Sequence, residues 1–222
     1  MSNILVENLE QIKSNIPKHV TLVAVSKTKP IESIQELYNA GQRVFGENRV
    51  QELVEKHEEL PKDIKWHLIG HLQRNKVKYI APFIEMIHSI DSERLLDEVN
   101  IQSKKNNRKI KVLLQFYIAQ EETKFGFDWV EIQDLFSRRA SESFDSIEFC
   151  GVMGMASFSD DESQVRNEFK KLKQIFDQLK QTYFLSSSVF KEISMGMSGD
   201  YQMAIEEGST LVRVGSSLFG ER

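Results

Sequence analysis

Apolar positions along this chain change their period repeatedly, and each change marks a new element. Short runs dense in β-branched residues alternate with stretches where apolar residues recur every three or four positions. Thr21-Leu22-Val23-Ala24-Val25-Ser26-Lys27 is a continuous apolar run that turns polar at its end, as a strand buried on both faces should read. Pro30 then opens a helical stretch with Ile31, Ile34, Leu37 and Tyr38 on one face, and Gly41 closes it. The same order predicts strands at residues 43–46, 66–69, 86–90, 111–117, 147–153, 192–197 and 211–214. Helical patterns lie between them at Val50, Leu53 and Val54, at Leu72, Val77 and Ile80, and from Val165 through Phe169, Leu172 and Ile175 to Leu179.

Eight such units predict an α/β protein, a single (β/α)8 TIM-type barrel over residues 1–222. An extra N-terminal helix, with Ile4, Leu5, Leu9 and Ile12, precedes it. A doubly wound open sheet carries the same periodicity, because a pattern counts strands better than it reports closure.

Composition narrows the class. Hydrophobic residues make up 40% and charged residues 28%, the mix of a soluble globular protein rather than a disordered or fibrous one. A net charge of −4 and a pI of about 5.8 give no basic field to attract nucleic acid or an anionic membrane. The basic stretch 102–109 reads as a solvated helix end and loop. One cysteine, Cys150, forms no internal disulfide and suits a reducing compartment; its apolar neighbours Phe149 and Val152 mark a buried, inert thiol. No apolar run approaches the ~20 residues of a membrane span. Met1-Ser2-Asn3-Ile4-Leu5-Val6-Glu7 lacks the basic and apolar regions of a secretory signal, so a cytoplasmic location is expected.

In a barrel the chemistry sits just past the strands. Lys27 stands there first. An amine beside apolar walls is driven towards its neutral, nucleophilic form, although a strand-end lysine can equally snorkel to solvent. Gly215-Ser216-Ser217 after the last strand, and Ser198-Gly199 after the seventh, offer backbone N–H and hydroxyl donors at the two places where barrels hold phosphate. Arg213, between apolar Val212 and Val214, needs a partner: a carboxylate such as Glu47 or Glu221, or an acceptor atom on a ligand. His67 and His71 are spaced four apart, but one sits in a strand and the other past Gly70, so no metal pair is expected. His67 and His88 read as satisfied polar groups in or near the barrel, and His71 as part of a ligand-facing loop. Met153, Met155, Met195, Met197 and Met203 read as pocket wall.

Several segments, in order, carry a family resemblance: residues 22–30 around Ser26-Lys27, Phe45-Gly46-Glu47-Asn48 with Gln51-Glu52, and Trp66-His67-Leu68-Ile69-Gly70-His71. Lys124-Phe125-Gly126-Phe127, Gly151-Val152-Met153, Ser194-Met195-Gly196-Met197-Ser198-Gly199-Asp200 and residues 207–222 continue it. The chain resembles, over nearly its whole length, the pyridoxal phosphate homeostasis proteins, an alanine racemase-like, fold-type III group. The resemblance implies pyridoxal 5′-phosphate held as an imine on Lys27, with Arg213 facing the pyridine nitrogen. It implies Ser198, Gly215 and Ser216 at the phosphate, Ser217 beside them, and Asn48, His71 and Met153 around the cofactor. Gly154 departs from the pattern, where relatives carry a larger residue.

The family's role is to bind, buffer and deliver pyridoxal phosphate, with PLP-dependent apo-enzymes as recipients and no established turnover. An amino-acid racemase is the alternative, and a phosphosugar-type barrel enzyme that binds phosphate without an imine is a third reading. Arginine only donates and favours an unprotonated ring nitrogen, which weakens carbanion chemistry. A racemase needs a second acid/base group, and only Tyr117 among the tyrosines stands near a strand end. A binding protein, monomer or homodimer, is therefore expected rather than an enzyme.

Overall fold

The computed structural model describes residues 4–119, 126–139 and 144–220. Helix α1 (Ile4–Ser14) leads into β1 (Thr21–Val25), α2 (Ile31–Asn39), β2 (Val44–Glu47), α3 (Val50–Glu59) and β3 (Lys65–Leu68). Next come the single-turn α4 (Val77–Ile80), β4 (Met86–Ile90), α5 (Glu93–Lys105), β5 (Ile110–Gln115) and α6 (Trp129–Arg138). The chain continues through β6 (Ile147–Met153), α7 (Glu162–Thr182), β7 (Glu192–Met197), α8 (Tyr201–Glu206), β8 (Leu211–Val214) and α9 (Ser216–Phe219). Each strand pairs with the next, and β8 returns to β1. The pairing is parallel between β1 and β8, from Thr21 with Leu211 to Ala24 with Val214. That contact closes a TIM-type (β/α)8 barrel and excludes the open sheet.

Three boundaries differ from the sequence expectation for identifiable reasons. β1 stops at Val25, because the next residues form a turn in which Thr28 takes a φ of 63°. β5 stops at Gln115, where Phe127 from the following loop takes over its pairing. Helix α4 is short because Pro82 follows, and Arg108 reaches over to donate to the carbonyls of Ala81 and Ile84. The basic stretch 102–109 thus has structural work: Lys104 also pairs with Asp145. Among the described residues no helix is long and apolar enough to cross a membrane.

The core has two compartments. A large apolar shell, with Phe45, Trp66, Leu53 and Phe169, fills the space between strands and helices. A smaller cluster plugs the barrel itself: Val23, Met86, Leu113, Cys150, Met153 and Leu211. Burial pushes the Cys150 thiol up to about 12, so it is an inert part of that plug. The barrel also encloses polar groups. His67 Nδ1 lies 2.9 Å from His88 Nε2, and His88 Nδ1 lies 2.9 Å from the Ser194 hydroxyl.

Between β6 and β7 the backbones approach too closely for a side chain. Gly151 has φ +153°, and a Cβ there would sit 1.8 Å from the carbonyl oxygen of Glu192. Gly151→Ala is expected to cost roughly 3 kcal/mol or more, because backbone rather than a flexible side chain must give way. Urea unfolding of the variant checks this.

The buried histidines make stability depend on pH. His67 is held down to about 4, chiefly by burial, with Lys111 and Lys65 adding and Glu85 opposing. His88 is held well below its ordinary value by burial first, then by His67 and Arg213. The unfolded chain takes up these protons near 6.5 while the folded chain refuses them. Their contribution is therefore complete above about pH 6.5 and is lost as the pH falls towards 4, at ~1.4 kcal/mol per pH unit for each proton. His67→Gln should flatten that slope in unfolding curves taken between pH 7 and 4.5.

Candidate functional site

The C-terminal strand ends surround a cavity of about 700 Å³. Six of the residues singled out from the sequence line it: Lys27, Asn48, Ser198, Arg213, Gly215 and Ser216. Three do not. Ser217 adjoins it, donating its hydroxyl to the Ser198 carbonyl at 3.3 Å. His71 is exposed, with Nδ1 3.1 Å from Asp91 Oδ2. Met153 is buried below, in the barrel plug. The expected methionine wall is divided likewise: Met155, Met197 and Met203 line the cavity, while Met195 packs into the apolar shell.

Lys27 reaches the cavity because of its turn. The side chain is half-buried and its amine has no hydrogen bond or ion pair among the described residues. The backbone on either side is clamped. Ser26 donates its hydroxyl to Glu47 Oε1 at 2.6 Å, and Lys56 Nζ donates to the Ser26 carbonyl at 2.7 Å. Lys56 also pairs with Glu47 Oε1 at 2.8 Å and Glu52 Oε1 at 2.6 Å, and Glu52 Oε1 accepts the Thr28 N–H at 2.5 Å. A residue with positive φ next to Lys27 is thus held by a side chain from α3.

Glu47 is fully buried. Burial pushes its carboxyl upward, while Lys56 and the Ser26 hydroxyl act in the opposite sense. Its Oε2 has no partner among the described residues. Sequence reasoning missed Lys56, although Glu52 and Lys56 stand four apart on α3, a spacing that signals an ion pair.

Arg213 is 4% exposed, and its partners correct one expectation. Glu47 is engaged by Lys56 and does not reach it; Glu221, like Lys124 and Phe125 of the family segments, lies outside the described residues. Arg213 Nη1 instead donates to the Ser194 hydroxyl at 2.5 Å, and Nη2 donates to the Gly154 carbonyl at 3.1 Å. Both acceptors are neutral. Burial brings the guanidinium down to about 10, with Asp200 acting in the opposite sense. It remains a buried cation with no carboxylate in ion-pair contact among the described residues.

At the phosphate-like corner, Ser198 Oγ accepts the Gly215 N–H at 3.0 Å and the Ser217 N–H at 3.4 Å. The loop over the opposite wall follows Gly154, where a Cβ would press on Ile118 and Leu172 at 2.8 and 3.0 Å, so the departure at this position suits the local packing. Glu168 on α7 anchors that loop by accepting both the N–H and the hydroxyl of Ser157, leaving Phe158 fully exposed beside the cavity. No cluster of metal-ligating side chains occurs among the described residues.

Known proteins resemble this chain in sequence and fold. The alanine racemase N-terminal domain family matches residues 2–222. The pyridoxal phosphate homeostasis protein of Aquifex aeolicus is 41% identical over 202 residues, 90% of this chain and 86% of the relative. PipY of Synechococcus elongatus, solved with PLP bound, superposes with a TM-score of 0.88 at 34% identity, covering 97% of this chain and 100% of PipY. Alanine racemase of Bartonella henselae shares the fold, with a TM-score of 0.76 at 19% identity over 98% of this chain and 58% of its own. The chain belongs to the pyridoxal phosphate homeostasis protein family, within the wider group built on the alanine racemase N-terminal domain.

Proposed function

We propose that this protein binds pyridoxal 5′-phosphate through Lys27 and serves to buffer and hand over that cofactor, with apo-enzymes as its recipients. The observation that carries this reading is one cavity lined by a lysine amine and a buried arginine, neither of which has a carboxylate partner among the described residues. The cofactor supplies an aldehyde that condenses with a primary amine, an aromatic ring nitrogen and a phosphate. Lys27 would provide the amine. Arg213 would donate to the ring nitrogen and, because a guanidinium is never an acceptor, keep it unprotonated. Ser198, Gly215, Ser216 and Ser217 would hold the phosphate, with the Gly215 and Ser217 amides exchanging the Ser198 oxygen for phosphate oxygens. Asn48 would border the ring; His71 and Met153 would act at one remove, from the rim and the floor. The fit extends to size, since a cavity of about 700 Å³ is in the range that small-molecule cofactors occupy.

Binding without turnover is the reading we favour over racemisation. An arginine at the ring nitrogen stabilises a carbanion poorly, and no tyrosine is among the described residues that line the cavity. That the Lys27 amine has no ion pair among the described residues also speaks against a phosphosugar site, where Lys27 would be an ion-pair partner. A cytoplasmic location and one barrel over residues 1–222 complete the proposal.

Borohydride reduction of the loaded protein should trap a pyridoxyl group on Lys27, and Lys27→Ala should abolish the adduct while keeping some phosphate-dependent binding. Peptide mapping decides; a label mainly on Lys29, Lys76 or Lys124 would sink the assignment. Ser198→Ala combined with Ser216→Ala should weaken pyridoxal phosphate much more than pyridoxal, since each hydrogen bond to a charged acceptor contributes roughly 1.5–3 kcal/mol. Titration with both vitamers measures this.

A further inference from the structure

A polar line crosses the barrel interior. It starts at Arg213 on β8, passes to Ser194 on β7, then to His88 on β4, and ends at His67 on β3. The links measure 2.5, 2.9 and 2.9 Å, and every member is buried. Around it the plug is apolar: Val23, Met86, Leu113 and Leu211. Buried polar groups are costly unless each is satisfied, and apolar residues of like volume serve stability as well. Four polar side chains drawn from four strands therefore call for a role other than packing.

The direction of the line follows from its first member. A guanidinium only donates, so Arg213 Nη1 donates to Ser194 Oγ. The Ser194 hydroxyl proton then goes to His88 Nδ1, which must be the bare nitrogen. His88 Nε2 carries the ring proton and donates to a bare Nδ1 of His67. The reverse arrangement would leave the buried Ser194 hydroxyl proton without an acceptor, because its oxygen has no other contact among the described residues. With both rings neutral, one set of tautomers satisfies all three links.

The other end of the line explains what it restrains. Asp200 lines the same cavity and is the carboxylate whose charge reaches Arg213. Ser194 and the Gly154 carbonyl hold one N–H from each of the two terminal nitrogens, and the other three of the five N–H donors have no partner among the described residues.

We propose that Ser194 and His88 are positioning residues for Arg213: with His67 they form a hydrogen-bonded line of one polarity that fixes the guanidinium where it is presented to the ring nitrogen of the bound cofactor. The proposal rests on the reading of the cavity as a pyridoxal phosphate site, and the test separates the two. In the wild-type protein, 15N NMR of the histidines should show Nδ1 bare and Nε2 protonated in both His67 and His88. A protonated His88 Nδ1 overturns the line whatever the cavity binds. In protein loaded with pyridoxal phosphate, Ser194→Ala should raise the dissociation constant about tenfold and shift the absorption maximum of the bound chromophore. Ser194→Thr, which keeps the hydroxyl, should restore both. A folded Ser194→Ala protein with wild-type affinity and spectrum overturns the positioning role. Where Ser194→Ala does not fold, His88→Gln interrupts the line one link further on, and an unchanged spectrum there has the same force. A wild-type protein that traps no pyridoxyl group under borohydride is a distinct result, which removes the cofactor reading and the positioning role with it.

Discussion

The parallel pairing of β1 with β8 is the contact on which the rest of the molecule depends. Val23 lies beside Arg213 and Ala24 beside Val214. That register sets the turn carrying Lys27 next to the loop carrying Gly215 and Ser216, which come from opposite ends of the chain. Each strand-end loop then inherits its place around one mouth. Lys29, just past Lys27, confirms the seam by donating to the Gly220 carbonyl at 3.0 Å. Without closure these groups would lie on opposite edges of a sheet.

Two buried cations meet the desolvation problem in different ways, and the difference separates scaffold from site. Lys56 is surrounded by Glu47, Glu52 and the Ser26 carbonyl, so its charge is matched within the wall. Among the described residues Arg213 has only neutral acceptors, Ser194 and Gly154. A buried charge without a counter-charge costs several kcal/mol, a cost that selection for stability alone would remove. Lys56 therefore holds geometry, whereas Arg213 keeps its charge without a matching carboxylate among the described residues. Among the described residues the Lys27 amine likewise has no partner, while the backbone around it is fixed from both sides.

Both walls of the cavity follow the same logic of a fixed backbone and available side chains. Glu168 ties the loop after β6 at Ser157, and Asp200 ties the loop after β7 by accepting the Met197 N–H. Methionines 155 and 197 then offer apolar surface beside polar donors.

The sequence by itself determined the elements. Eight β-branched runs, the intervening helical periods and the extra first helix are local patterns, and local sterics and burial fix them without reference to distant residues. It also marked Lys27, Arg213 and the Ser198 and Gly215-Ser216 loops, because a charge or a donor cluster at a strand end is visible in a window of a few residues. The tertiary structure alone decided partners. Glu47 was a plausible counter-ion for Arg213 until Lys56 was seen to take it. His67 and His88 were satisfied polar residues, but that they satisfy one another and connect to Ser194 depends on which strands face across the barrel. His71 and Met153 show the same limit: one residue's rotation about its loop, and one position's depth in the barrel, place them outside the cavity wall. Periodicity encodes which face a residue takes, whereas closure and register, which are sums over the whole chain, decide what that face meets.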